Sequence, residues 1–209
     1  MRNALRAVLV AAIALAGATH AMAAAVTPDA ARQYMTDLGN RAVDTIARQP
    51  DPAARRGAFI AMMLDTLDFD ALGSFAVGKI GRAATPEEKR AFKPLFAAYV
   101  IDVAIQRFGD AQLKSFGLGS AAPQPNGDVK VFTRLVTSDP APMEVHWRVH
   151  DSNGQPRITD IEVAGYSLAM HYRGDFERAG IGTMSAAINR LKELTKASTS
   201  LQTVQQALR

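Results

Sequence analysis

Apolar and polar residues alternate along three segments in the second half of the chain. Residues 129–135, 143–150 and 159–163 place mostly hydrophobic side chains at every second position, with charged or polar side chains between them. Because successive side chains of a strand point to opposite faces, this period of two predicts half-buried antiparallel strands. Turn-forming residues lie on either side of the second segment, at 140–142 (PAP) and 151–154 (DSNG). The face predicted to point inward is apolar and consists of Val131, Leu135, Val145, Trp147, Ile161 and Val163.

The first half of the chain instead repeats apolar residues every three to four positions, behind three helix-start signals. Thr27-Pro28-Asp29, Asp51-Pro52 and residues 85–88 (TPEE) each combine an N-cap side chain with a proline in the first turn. In the third start, a glutamate three residues after the threonine completes a capping box. These signals predict three helices before the strands.

The helix that follows the capping box is expected to reach about Phe108. Phe96, Tyr99 and Val103 lie along one of its faces and form an apolar stripe. Pro94 falls inside this helix, so we expect a kink or a displaced turn there.

Two more helices are predicted after the strands. One covers residues 169–178 and is ended by Gly180, and the last includes the apolar stripe of residues 184–194. Residues after Ser198 are polar and are expected to fray. Helices that precede a block of antiparallel strands indicate an α+β fold, in which a curved antiparallel sheet is wrapped by helices.

The first 23 residues have the three-part pattern of a secretory signal peptide. Arg2 and Arg6 precede an apolar run at 7–18, and residues 21–23 (AMA) offer a cleavage site for signal peptidase. The apolar run is shorter than the roughly 20 residues that a membrane-spanning helix needs. We therefore predict export to the periplasm and a single mature domain over residues 24–209.

Composition places the chain among ordinary globular proteins. Of 209 residues, 48% are hydrophobic and 21% are charged, and the formal net charge is +4. Two of those charges lie in the predicted signal peptide, so the mature chain is too weakly basic to indicate a nucleic-acid-binding protein. The absence of cysteine excludes disulfides and thiolate metal sites.

A search for catalytic or metal-binding residues yields little. His146 and His150 lie on one strand about 13 Å apart, too far to chelate one metal, and we expect the acidic residues Asp65, Asp68 and Asp70 to cap and solvate a helix junction. No phosphate-binding loop or nucleophile elbow is present. These observations favour binding of an apolar ligand over catalysis. The alternative that the apolar faces simply pack against each other stays open.

Several segments resemble the MlaC-type periplasmic phospholipid-binding family, also called the toluene-tolerance family. The similar segments occur in the family's order: 69–70 (FD), 75–82 (FAVGKIGR), 84–88 (ATPEE), 147–149 (WRV), 165–168 (GYSL) and 171–176 (HYRGDF). The chain departs from the family pattern at Ile80-Gly81, where an aromatic pair is usual, and at Pro94.

The resemblance implies a cone similar to nuclear transport factor 2 that encloses an apolar cavity. It implies a monomeric phospholipid carrier without metal or other cofactor, which maintains the lipid asymmetry of the outer membrane. Its implied partners are an inner-membrane ABC transporter with an MCE-domain protein and an outer-membrane lipoprotein–porin complex. The expected lipid-binding residues are Phe75, Phe96, Tyr99, Val103, Val131, Leu135, Val145, Trp147, Ile161, Val163, Tyr166 and Leu168.

Three alternatives stay open on the sequence alone. A hopanoid-associated branch of the same family would carry another apolar lipid. Cone-shaped folds of this kind also include small-molecule isomerases and dehydratases, for which Tyr99 and Tyr166 are the candidate acid–base residues. A structural partner of an envelope complex would bind no ligand.

Overall fold

The computed structural model describes residues 25–108, 113–137 and 141–208. Helices come first, then strands, then helices, which confirms the predicted α+β fold. The helices are α1 (Pro28–Ala42), which continues into a π-helical turn (Val43–Ala47), α2 (Pro52–Thr66), α3 (Phe69–Val77), α4 (Lys79–Arg82), α5 (Pro86–Phe108), α6 (Leu168–Arg178), α7 (Met184–Leu194) and α8 (Leu201–Ala207). The strands are β1 (Ser115–Pro123), β2 (Val129–Val136), β3 (Met143–Ser152), β4 (Gln155–Val163) and β5 (Tyr166–Ser167).

The three predicted helix starts carry the predicted caps. Thr27 Oγ1 accepts a hydrogen bond from the third residue of α1, and an Asp51 carboxylate oxygen does the same in α2. At α5 the capping box is complete, since the Thr85 amide donates to Glu88 and the Glu88 amide donates to Thr85 Oγ1. Each cap satisfies backbone amides that have no partner inside the helix.

The five strands form one antiparallel sheet in chain order, β1-β2-β3-β4-β5. Two-residue turns close the last two hairpins. Asn153 and Gly154 join β3 to β4 with φ of 57° and 83°, and Ala164 and Gly165 join β4 to β5 with φ of 49° and 81°. Two consecutive positive φ values match the twist of the flanking strands. Register shifts in β1 and between Arg148 and Val149 of β3 add irregularities that bend the sheet.

Helices cover one face of the sheet and then stack on one another. The α1 helix packs on β1 and β2, α6 packs on β4, and α5 packs against α2, α3, α7 and α8. Gly39 allows α1 to approach the sheet closely, because a Cβ atom there would lie 2.4 Å from the Phe116 ring of β1. Between the helices, the Phe92 and Phe96 rings stack at 5.2 Å and Tyr172 packs edge-on against Phe96 at 5.6 Å.

The C-terminal segment and the first strand differ from the sequence predictions. The segment after Ser198 does not fray, since it forms α8 and buries Val204 completely against α5 and α2. The β1 strand was not expected, because its glycines and small residues hide any alternation. The α5 helix continues through Pro94 as one helix of 23 residues and reaches Phe108, as predicted. A kink at Pro94 stays a prediction.

Candidate functional site

A large apolar cavity lies between the sheet and the helices. Its volume is about 740 Å³, within the range of small-molecule binding sites. Side chains from α1, α2, α3, α5 and α6 face side chains from β1 to β4 across it. Most lining residues are aliphatic, aromatic or methionine, so the space suits a ligand with long hydrocarbon parts.

The sheet wall of the cavity comes from one face of β2, β3 and β4. Leu135, Val145, Trp147, Ile161 and Val163 line the space. In the register of β3 and β4, Val145 pairs with Val163 and Trp147 pairs with Ile161, which brings four of these residues side by side. Their apolar surface is continuous because opposite residues of an antiparallel pair project to the same face.

The helical wall comes chiefly from α2 and α5. Phe59, Met62 and Met63 project from α2, and Val103 and Ile105 project from α5. Methionine fills irregular space with a flexible thioether, so this wall can adapt to apolar groups of different shape.

The cavity has an open end and a closed end. The lining residues exposed to solvent are Pro52, Ala53 and Arg56 at the start of α2 and Gln106 near the end of α5, and we call these four the mouth. At the opposite end Leu72, Ile158 and Tyr172 are at most 3% exposed, and we call these three the floor. The cavity therefore extends from the start of α2 toward α3 and α6.

Seven of the twelve predicted lipid-binding residues line this cavity. They are Val103, Leu135, Val145, Trp147, Ile161, Val163 and Leu168. Phe96 and Val131 lie instead in the packed core, each with 0% exposure. The apolar stripe of α5 thus lies partly in the core and partly in the cavity wall. The cavity borders only the C-terminal half of that helix, whereas Phe96 in the N-terminal half packs against α6.

The other three predicted residues lie outside the cavity wall. The Tyr99 hydroxyl donates to an Asp175 carboxylate oxygen of α6 at 3.2 Å. Phe75 is 41% exposed and carries the Arg173 guanidinium over its ring, and Tyr166 is 81% exposed at the last hairpin. Tyr99 and Tyr166, the two candidate acid–base residues, are therefore not among the side chains that line the cavity.

The inward sheet face is not wholly apolar, contrary to the prediction. Thr133 lies on it, buried beside Trp147. The indole Nε1–H donates to Thr133 Oγ1 at 2.8 Å, and that hydroxyl donates to the Val145 carbonyl at 2.8 Å. Both polar groups are thus satisfied within the sheet, and the hydrogen bond fixes the orientation of the tryptophan ring in the wall.

One carboxylate reaches the cavity from the sheet. Asp160 is 8% exposed, accepts from Ser167 Oγ at 2.6 Å and accepts from the Ala169 amide at 3.0 Å. Both oxygens therefore hold the start of α6 against β4. This arrangement positions a helix and leaves no oxygen of that carboxylate without a hydrogen-bond donor.

The acidic residues near the junction of α2 and α3 do not form one site. Asp65 pairs with Arg41 at 3.0 Å, Asp70 pairs with Lys93 at 2.6 Å, and Asp68 caps α3 through the Ala71 amide. Within the described ranges, no group of three potential metal-ligating side chains comes together.

Asp68 fastens this junction to the sheet beside the floor. It accepts from His150 Nε2 at 2.9 Å and from Ser152 Oγ at 3.0 Å. Burial raises the pKa of the Asp68 carboxyl, but the hydrogen bonds from Ala71, His150 and Ser152 outweigh it, so that the pKa lies below its usual value.

Nearby, burial raises the pKa of Tyr34 to about 12, and its hydroxyl donates to the Thr66 carbonyl behind the cavity wall.

Sequence reasoning missed the cavity-lining residues of α1, α2 and β1. Leu38, Phe59, Met62 and Phe116 contribute to the wall, and the helical periods of α1 and α2 signalled only that these helices have a buried apolar face. Such a period does not reveal whether a buried face meets another side chain or an open space.

None of the helices in the described ranges is long and apolar enough to cross a membrane.

Comparison with known proteins agrees with this architecture. The solved structures include a phospholipid-binding protein from Ralstonia solanacearum in complex with a phospholipid, which matches with a TM-score of 0.68 at 17% sequence identity. The match covers 86% of this chain and 99% of that chain, and it shows a shared fold. No curated protein matches the sequence. The sequence profile of the MlaC protein family matches residues 33–193, and the chain therefore belongs to that family.

Proposed function

We propose that this protein is a phospholipid carrier that encloses acyl chains in the cavity between α2, α5 and the sheet. The observation that carries the proposal is the cavity itself, about 740 Å³ of space lined by apolar side chains and reaching the surface at the mouth. Membership of the MlaC family and the phospholipid complex of the Ralstonia relative support the same ligand class.

The energetics explain why such a lipid needs a carrier. Each buried methylene is worth about 0.8 kcal/mol, so two acyl chains of about 15 carbons cost on the order of 24 kcal/mol to expose to water. A cavity that matches the apolar interior of a bilayer removes most of this cost. Because carrier and bilayer are then nearly isoenergetic for the chains, membrane partners must set the direction of transfer.

The cavity wall favours binding over acid–base catalysis. A small-molecule isomerase needs an acid or base that faces its substrate. Among the described lining residues the one carboxylate, that of Asp160, accepts two hydrogen bonds that hold α6, and neither Tyr99 nor Tyr166 lines the cavity. A carrier requires no bond to be made or broken, which fits these contacts.

Location and partners complete the proposal. Residues 1–23 act as a cleaved signal peptide, and residues 24–209 form one monomeric lipid-binding domain in the periplasm. The carrier receives and delivers lipid at an outer-membrane lipoprotein–porin complex and at an inner-membrane ABC transporter with an MCE-domain protein, and so maintains outer-membrane asymmetry. The MlaC family match supports this role.

Native mass spectrometry of the purified mature protein tests the ligand. We expect a bound mass equal to that of one or more diacyl phospholipids, which tandem fragmentation identifies by headgroup and chains. A bound hopanoid would assign the protein to the other lipid branch. A protein that is empty after purification and that takes up no lipid from vesicles would overturn the carrier function.

Transfer and location need separate measurements. Fluorescent phospholipid should move from donor to acceptor vesicles faster in the presence of the protein, and crosslinking in cells should capture the MCE-domain protein. N-terminal sequencing of the exported protein should begin near Ala24, and an intact Met1 on exported protein would contradict the signal peptide.

A further inference from the structure

Charge is distributed unevenly along the cavity. Among the described residues that line it, only Arg55, Arg56 and Asp160 carry charge. The Asp160 carboxylate is buried two residues from the floor residue Ile158, in register with Arg148 of β3, and is held by α6. Arg56 belongs to the mouth, and Arg55 precedes it at the start of α2. Among the described residues, the charged side chains that line the open end are therefore both cationic, whereas the floor is apolar.

The two guanidinium groups retain donors for a further partner. Arg55 is half-buried, and one of its Nη atoms donates to the Gln49 carbonyl at 3.5 Å. In the part of the chain that the structure describes, no carboxylate oxygen lies within 4.0 Å of its guanidinium nitrogens. Arg56 donates to Thr199 Oγ1 and lies 4.0 Å from an Asp102 carboxylate oxygen. Because a guanidinium has five N–H donors, these contacts leave several donors on each side chain.

We propose that Arg55 and Arg56 bind the phosphodiester of the lipid headgroup at the mouth. This inference rests on the proposed carrier function and adds the orientation of the lipid and the group that is recognised. Guanidinium and phosphate form short, charge-assisted and often bidentate hydrogen bonds. With its phosphate held at the start of α2, the lipid extends its acyl chains past Phe59 and Trp147 to the floor.

The geometry also explains a selectivity that an apolar cavity alone would lack. Hydrocarbon walls accept any lipid with similar chains, since burial depends on apolar area. A phosphate contact at the mouth distinguishes a phospholipid from a diacylglycerol with identical chains. It acts on the common phosphodiester, so it does not depend on the alcohol that completes the headgroup.

A competition experiment tests the phosphate contact. Delipidated protein is incubated with vesicles that contain equal amounts of dioleoyl phosphatidylglycerol and dioleoylglycerol, and the bound lipids are quantified by mass spectrometry. We expect the wild-type protein to enrich phosphatidylglycerol over dioleoylglycerol by roughly tenfold or more, from hydrogen bonds to charged groups. The double variant Arg55→Gln/Arg56→Gln should lose most of this preference while still binding dioleoylglycerol.

The matched control removes the same charge elsewhere. Arg48 and Arg90 are exposed, are paired with Asp44 and Glu87, and do not line the cavity. Arg48→Gln/Arg90→Gln should keep the wild-type preference. Arg56 also contacts Thr199 ahead of α8, so the double variant could unfold for a structural reason. In that case the single variant Arg55→Gln tests the proposal, and this variant should lose part of the preference for phosphatidylglycerol.

The outcomes separate the two proposals. Equal uptake of both lipids by the wild-type protein, or an unchanged preference in the Arg55→Gln/Arg56→Gln variant, would overturn the phosphate contact and leave the carrier function intact. Failure of the wild-type protein to take up either lipid would overturn the carrier function itself.

Discussion

At the scale of single residues, the two faces of β3 have opposite character. Val145 and Trp147 line the cavity, whereas His146 and Arg148 lie on the other face with Lys130 and Glu162. On that outer face, Glu162 accepts from Lys130 at 2.7 Å. Alternation along one strand thus separates the cavity wall from a charged surface.

Val145→Glu should abolish lipid loading. Val145 is 2% exposed in the cavity wall, so the variant would place a carboxylate where acyl chains lie, and an unpaired buried charge is costly. We expect the variant to purify folded, by circular dichroism, but without lipid in native mass spectrometry. The control Arg148→Glu makes a larger charge change on the outer face and should purify loaded. A loaded Val145→Glu protein beside an empty Arg148→Glu protein would show that the lipid lies on the other face.

At the scale of elements, the cavity depends on helices that pack chiefly on other helices. The α5 helix forms part of the wall, and α7 and α8 pack against its other sides. Val204 of α8 is completely buried, and Arg56 of α2 donates to Thr199 just before α8. The C-terminal segment therefore supports the helical wall from behind.

Val204→Ala should lower the free energy of unfolding by about 2 kcal/mol, because it removes two fully buried methyl groups and leaves a cavity. Urea unfolding followed by circular dichroism measures this change. The neighbouring Gln205 is exposed, so Gln205→Ala should change the free energy of unfolding by less than about 0.5 kcal/mol. Equal effects of the two substitutions would show that α8 does not pack as described.

At the scale of the whole molecule, stability depends on contacts between the helical layer and the sheet, among them those of Asp68. Its folded pKa lies below the usual value, so the carboxylate stabilises the fold fully above the unfolded pKa of about 3.9. This contribution is lost as the pH falls through the folded pKa, because the unfolded chain takes up the proton first.

The free energy of unfolding should therefore respond to acid through Asp68. The difference between the wild-type protein and Asp68→Asn should shrink as the pH falls below about 4, where the folded carboxylate takes up its proton. Denaturant titrations across this range measure it. Asp70→Asn, which removes an exposed ion pair with Lys93, should give a smaller difference. A difference for Asp68→Asn that grows on acidification would contradict the assigned hydrogen bonds.

Ligand removal should also affect the whole molecule. Extraction of lipid should lower the melting temperature, since a ligand that binds only the folded state stabilises it. It should also shift the emission of Trp147, which lines the cavity and is the only tryptophan in the chain. Treatment with a metal chelator should change neither quantity. Loss of lipid on chelation would reveal a metal site that the described residues do not show.

The sequence by itself determined the local structure and the family. N-cap residues, such as Thr85 with Glu88, define helix starts because they satisfy backbone amides within a few residues. Alternation in residues 143–150 defines both faces of β3, because successive side chains of a strand point to opposite faces whatever surrounds the strand. The ordered motifs between residues 69 and 176 were enough to predict the family that the profile match confirms.

Only the tertiary structure decided which apolar residues surround open space. Phe96 and Val103 lie on one stripe of α5, yet the first is packed against Tyr172 and the second faces the cavity. A hydrophobic period predicts that one face of a helix or strand is buried, but it does not predict whether that face meets packed side chains or a cavity. Both environments favour the same apolar residues. The same holds for Arg55 and Arg56, whose position at the open end of the cavity follows from the placement of α2 across the cavity from the sheet.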